Sequence, residues 1–72
     1  MHNRRMSMQL KLARVARDWT QDELSEHSGV QQADISRMEN GWSAPLELQQ
    51  RLAKALDRTV EELFGQRLDI AS

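Results

Sequence analysis

Apolar positions recur every three or four residues along most of the chain, and the residues that interrupt them fall into start and stop signals for helices. From Met6 or Ser7 to Arg17 there is no Gly or Pro and many good helix formers, which predicts a first helix. Two apolar stripes compete for its inner face: Met6, Leu10 and Ala13, or Met8, Leu12, Val15 and Trp19. Thr20 followed by Glu23 is a capping box, and Trp19 and Leu24 flank it at the positions of a hydrophobic staple, so a second helix is expected from Gln21 to Ser28. Gly29 is expected to end it in the left-handed conformation, with Val30 as the plug of the turn. A third helix then starts at Gln31 or Gln32 and reaches Asn40, with Ile35 and Met38 turned inward and Gly41 as its stop. Pro45 opens a fourth helix to about Leu56, with Leu48, Leu52, Ala55 and Leu56 at helical spacing. Thr59 and Glu62 repeat the capping box before a short fifth helix through Leu63 and Phe64, which Gly65 ends.

The pattern therefore predicts an all-α domain of five helices over residues 6–64. Residues 1–5 carry no pattern and are expected to form a flexible arm, whose two arginines either stay solvated or reach phosphate or the minor groove. In the tail, residues 65–72, Leu68 and Ile70 alternate with polar residues, as in a strand added across a dimer or as in a disordered end.

Around Gly29 the arrangement acquires chemical meaning. With Ile35 and Met38 facing inward, the third helix presents Gln32, Ala33, Ser36 and Arg37 outward. Two short helices joined at a glycine, the second offering Gln, Ser and Arg, match the helix-turn-helix geometry in which the second helix lies in the major groove of DNA.

Composition changes that picture in two places. Seventy-two residues without cysteine make one domain close to the lower limit for a self-sufficient core, with neither disulfides nor a thiolate metal site to help. Helix packing or a second copy of the chain is expected to supply the missing stability. The net charge of −1 argues against nucleic acid, since DNA-binding chains usually carry a basic excess. The charge is unevenly placed, however: residues 1–17 sum to +5 with no acid, residues 18–36 to −5 with no base, and the remainder to −1. A near-neutral total thus coexists with a basic segment, and non-specific DNA affinity is expected to be weak. No apolar run approaches a membrane span or the core of a signal peptide, which leads to the expectation of a soluble, cytoplasmic protein.

The stretch TQDELSEHSGVQQADISRMENG, from Thr20 to Gly41, followed by Pro45 and the run LAKAL, resembles the Cro/lambda-repressor (Xre-like) family of helix-turn-helix domains over roughly Met6 to Phe64. The resemblance implies a compact five-helix lambda-repressor-like DNA-binding domain and the Met6, Leu10, Ala13 stripe as the inner face of the first helix. It also implies an ion pair between Arg14 and Glu39, which would fix the first helix against the third. By the same resemblance Gln21, at the start of the second helix, clamps the DNA backbone, and Asn40 and the loop behind it approach phosphate, where Ser43 and Gln31 are placed as well. Gln31 departs from the Ser or Thr that commonly caps the third helix in the family. Asp57 and Arg58 stand where the family usually has Gly and Val, which loosens that corner or turns it toward a partner.

On the third helix the side-chain chemistry assigns base contacts. Gln32 can bond adenine in bidentate fashion, Arg37 can fork onto guanine or hold phosphate, Ala33 can pack on a thymine methyl, and Ser36 can bond a base edge or the backbone. Asp34 either sits on the flank or accepts from cytosine. Trp42 has three uses open to it: a dimer contact, stacking near the DNA backbone, or cover for the small core.

The expected function is a sequence-specific double-stranded DNA-binding transcriptional regulator, a repressor acting as a homodimer on a palindromic operator. The alternative keeps the fold and adds a protein partner: an antitoxin that holds a toxin and represses its own operon. The Met8, Leu12, Val15 stripe, Trp42, the Arg58 corner and the tail are its candidate surfaces. An enzyme is the least favoured class, since the sequence offers no nucleophile with a base, no metal cluster and no phosphate-cradling loop; no cofactor is expected.

Overall fold

The computed structural model describes residues 4–65, with side chains from residue 8 onward. Within that span the chain forms five helices and no strand: α1 (Arg4–Ala16), α2 (Gln21–Ser28), α3 (Gln32–Glu39), α4 (Leu46–Ala55) and α5 (Val60–Phe64). The expected all-α, five-helix architecture is what the chain adopts. Its first helix begins at Arg4, ahead of the expected Met6, because nothing in Arg4 or Arg5 interrupts a helix and no cap precedes Met6. The expectations for residues 1–3, for the Met6 side chain and for residues 66–72 lie outside the described residues.

Both capping boxes form. Thr20 accepts from the Glu23 amide while the Glu23 carboxylate accepts from the Thr20 amide, and Thr59 and Glu62 do the same at α5. Each box satisfies two amides that a helix start would leave unpaired. Gln31 provides no side-chain bond at the start of α3, so that end lacks the cap a Ser or Thr would give.

Three of the helix ends share one device. At Gly41 (φ 105°) the Trp42 amide donates to the Arg37 carbonyl and the Gly41 amide to that of Met38. This is the Schellman pattern, which satisfies carbonyls at a helix end by way of one left-handed residue. The same pair of bonds closes α1 around Asp18 (φ 63°), with Trp19 donating to Arg14, and closes α4 around Asp57 (φ 56°), with Arg58 donating to Ala53. The corner at Asp57 and Arg58 therefore closes with the same two bonds, with aspartate in the left-handed position. Between α2 and α3, Gly29 (φ 77°) turns the chain, its amide donating to Ser25.

α1 packs on α3 and α5, α2 on α3 and α4, and α4 on α5, so every helix has at least two neighbours. The shared core holds Leu10, Leu24, Val30, Ile35, Met38, Leu52, Leu56, Leu63 and Phe64, with Ala44 and Ala53 filling the gaps. Leu10 is fully buried and Ala13 packs against the core, while Met8, Leu12 and Val15 are each more than half exposed. The first stripe of α1 is thus the inner one. Trp19 belongs to neither: it sits beyond the helix, half-buried against the core, its ring stacked on His27 at 4.1 Å with Arg17 5.2 Å from the ring centre.

The aspartate at the end of α4 generates a prediction. A left-handed residue with a β-carbon costs about 1–2 kcal/mol, and the extra freedom glycine has when unfolded offsets roughly 0.5–1 kcal/mol of that. The difference is about 0–1.5 kcal/mol in favour of glycine, so Asp57→Gly is expected to leave the thermal midpoint unchanged or raise it by up to about 10 °C. A midpoint below that of the parent chain, followed by circular dichroism, would contradict it.

Candidate nucleic-acid interface

One chain of hydrogen bonds links the first three helices. Arg14 on α1 donates through Nε to Oε2 of Glu39, the last residue of α3, at 2.6 Å, and through Nη2 to Oε1 at 3.1 Å. The third guanidinium nitrogen, Nη1, donates to the Trp19 carbonyl at 2.7 Å. The side chains are 11% and 5% exposed, so the pair is nearly closed to water. Gln21, at the first position of α2, donates through Nε2 to Glu39 Oε1 at 3.1 Å, and its Oε1 accepts from Gln32 Nε2 at 2.6 Å.

The direction of these bonds is dictated by chemistry. A carboxylate only accepts, so Gln21 must turn its nitrogen to Glu39, which leaves its oxygen for Gln32. Gln32 must then offer its nitrogen to Gln21. What remains on Gln32 is one N–H and the carbonyl oxygen, the donor and acceptor that the N7 and N6 edge of adenine requires. The ambiguity that usually attends a glutamine amide is removed here by the charge at the other end of the chain.

The remaining positions divide as follows. Ala33 and Arg37, four apart, are exposed on α3, with Gln32 exposed and Ser36 half-buried beside them. Arg37 lies 4.0 Å from Asp34 and 5.9 Å from the Trp42 ring centre, and its side chain is 68% exposed. Asp34 thus sits on the flank against its own helix. Gln21 is half-buried at the start of α2, where the Gln21 and Asp22 amides are the ones its capping box leaves unpaired. Asn40 folds its side chain back, Nδ2 donating to the Ser36 carbonyl at 2.8 Å. Gln31 and Ser43 are exposed at the two ends of α3, outside the linked group. Among the described residues, then, the structure brings together Arg14, Glu39, Gln21 and Gln32, places Ala33, Ser36 and Arg37 on the same helix, and leaves Gln31 and Ser43 apart.

Two contacts lie outside the apolar period of the sequence. The contact of Arg37 with Trp42 had a signal: once Gly41 is the left-handed residue of a Schellman turn, the next residue returns over the third-last residue of the helix. The stack of Trp19 on His27 had none, because neither residue belongs to the apolar period. Trp42 is 40% exposed and lies outside the core cluster.

A family model described as Helix-turn-helix matches residues 10–63, from the buried Leu10 to the buried Leu63. The chain belongs to the Cro/C1-type (Xre-like) helix-turn-helix family. No curated protein and no solved structure matches it. In this helix-turn-helix α2 is the first helix of the motif and α3 the second, and the domain is of a DNA-binding regulatory kind. No described helix is long and apolar enough to cross a membrane.

The energetic role of the ion pair is open to test. Removing one partner of a buried pair strands the other charge, so Arg14→Leu is expected to cost about 3–5 kcal/mol in urea unfolding. Replacing both, as Arg14→Met with Glu39→Leu, is expected to restore most of that loss, because two buried charges recover in attraction little more than they lose in hydration. A double variant no more stable than the single one would show that the pair contributes net stability.

Proposed function

We propose that this helix-turn-helix domain is a sequence-specific transcriptional repressor that binds a palindromic double-stranded operator as a homodimer. The observation that carries this reading is the fixed amide of Gln32, held by Gln21 and through it by Glu39, with a donor and an acceptor left over for one adenine. An exposed glutamine free to rotate would lose entropy on binding and discriminate poorly. One already held in place avoids much of that loss.

In the proposed complex α3 lies in the major groove. Gln32 reads adenine, Arg37 reads guanine or holds phosphate, Ala33 meets a thymine methyl, and Ser36 bonds a base edge or the backbone. Gln21, Gln31, Asn40 and Ser43 face phosphate, with the free amides at the start of α2 adding to the Gln21 contact. The Asn40 side chain would exchange its bond to Ser36 for one to the DNA backbone. Asp22 and Glu23, exposed at the same helix start, oppose phosphate and keep non-specific affinity low, so discrimination rests on the base contacts. Two-fold symmetry sets the half-sites one helical turn apart, about 10 bp, or a multiple of it.

Selection from random duplexes with the folded protein is expected to enrich a two-fold symmetric site whose affinity falls steeply with salt. Against that site Gln32→Ala is expected to lose about 1–3 kcal/mol and its preference at one base pair, while Gln21→Ala weakens all sequences and also relaxes that preference through the lost link. No enriched sequence from folded protein would overturn the reading. Equal binding of all operator variants by wild type and Gln32→Ala would overturn the assignment of Gln32.

A further inference from the structure

On the side of α1 away from Leu10 lies a row of apolar side chains, Met8, Leu12 and Val15, which are 57%, 56% and 53% exposed. They are spaced four and three residues apart, so they form one continuous stripe along the helix. They also account for three of the five large hydrophobic side chains exposed among the described residues, the others being Trp42 and Leu46 on separate segments. Leu12 continues from the stripe into a groove whose far wall is built by Arg58 and Glu62, at the corner between α4 and α5.

Cations stand on both flanks. Lys11 lies three residues after Met8 and four before Val15, next to both on the helix surface, and Arg58 faces Leu12 across the groove. Neither side chain has an ion pair among the described residues, as is also true of Arg17 and Lys54. Glu62 stands on the same wall as Arg58, with one carboxylate oxygen on the Thr59 amide at 2.8 Å. The surface therefore combines an apolar seam of helical period with a cation on each side, Arg58 sharing its wall with Glu62.

We infer that this face of α1 and the α5 corner is a docking site for an acidic amphipathic helix of another protein, its apolar face on Met8, Leu12 and Val15 and its carboxylates on Lys11 and Arg58. A second copy of the chain fits less well. Two α1 faces set against each other would oppose Lys11 to a helix that carries bases and no acid. The acidic helix of the same molecule, α2 with Asp22, Glu23 and Glu26, itself carries no exposed large hydrophobic residue. The site lies off α3, so it is independent of the proposed DNA contacts and is measured without DNA.

The probes are two synthetic amphipathic peptides of about four helical turns, with the same leucine pattern and either glutamate or lysine at the polar positions. Binding to the full chain is followed by fluorescence anisotropy at moderate salt. The glutamate peptide is expected to bind, and the lysine peptide to bind about tenfold more weakly or worse. Leu12→Ser, an exposed position, is expected to weaken the glutamate peptide about tenfold with unchanged circular dichroism. Lys11→Glu with Arg58→Glu is expected to invert the preference between peptides. No binding of either peptide, or equal binding of both, would overturn the proposal. So would a wild-type dimer that Leu12→Ser converts to monomer in sedimentation, which would make a second copy the occupant. Tighter peptide binding by a chain ending at Gly65 would overturn it too, by assigning the face to residues 66–72.

Discussion

The carboxylate of Glu39 is the point through which three helices are referred to one another. Its two oxygens take Arg14 from α1 and Gln21 from α2, and Glu39 itself ends α3. Apolar contacts hold these helices together but set their relative rotation loosely, since leucine and isoleucine fill space without direction. A nearly buried charge accepting three hydrogen bonds tolerates little displacement, because any lost bond leaves a poorly hydrated oxygen. The placement of α3 against the other helices therefore follows from an electrostatic constraint, in a core whose bulk is hydrophobic.

That division of labour suits a small domain. With a chain this short and no cysteine, the apolar core cannot be extended to gain rigidity, and the helices themselves are too short to be stable alone. Order is supplied instead at the ends: two capping boxes and three Schellman turns satisfy amides and carbonyls that five short helices would otherwise leave open. Two of those turns use aspartate in the left-handed conformation, where its short polar side chain makes it one of the more tolerant residues after glycine.

Much of this was legible in the sequence, and the parts that were not have a common cause. Thr20 with Glu23 and Thr59 with Glu62 name their helices because capping is local, and Leu10, Ile35 and Leu52 name the core because burial has a period. Asp18 escaped because the left-handed turn is usually signalled by glycine. The choice between the two stripes of α1 was not decided by periodicity, since both have it; it depends on which side α3 and α5 occupy. The Arg14 and Glu39 pair was reached through resemblance, whereas the link from Glu39 through Gln21 to Gln32 joins residues far apart in sequence and needed coordinates. The start of α1 was misplaced because Arg4 and Arg5 carry no apolar period even though they are sound helix formers.

The two tryptophans occupy opposite situations. Trp19 is half-buried at the junction of α1 and α2, stacked on His27, with its carbonyl held by Arg14. Trp42 is exposed in the loop behind α3, over Arg37. The chain has no tyrosine, so its near-ultraviolet emission comes almost wholly from these two indoles. The molecule thus carries two built-in optical probes on separate parts of its surface, one sensing the joint between α1 and α2 and the other sensing whatever approaches the end of α3.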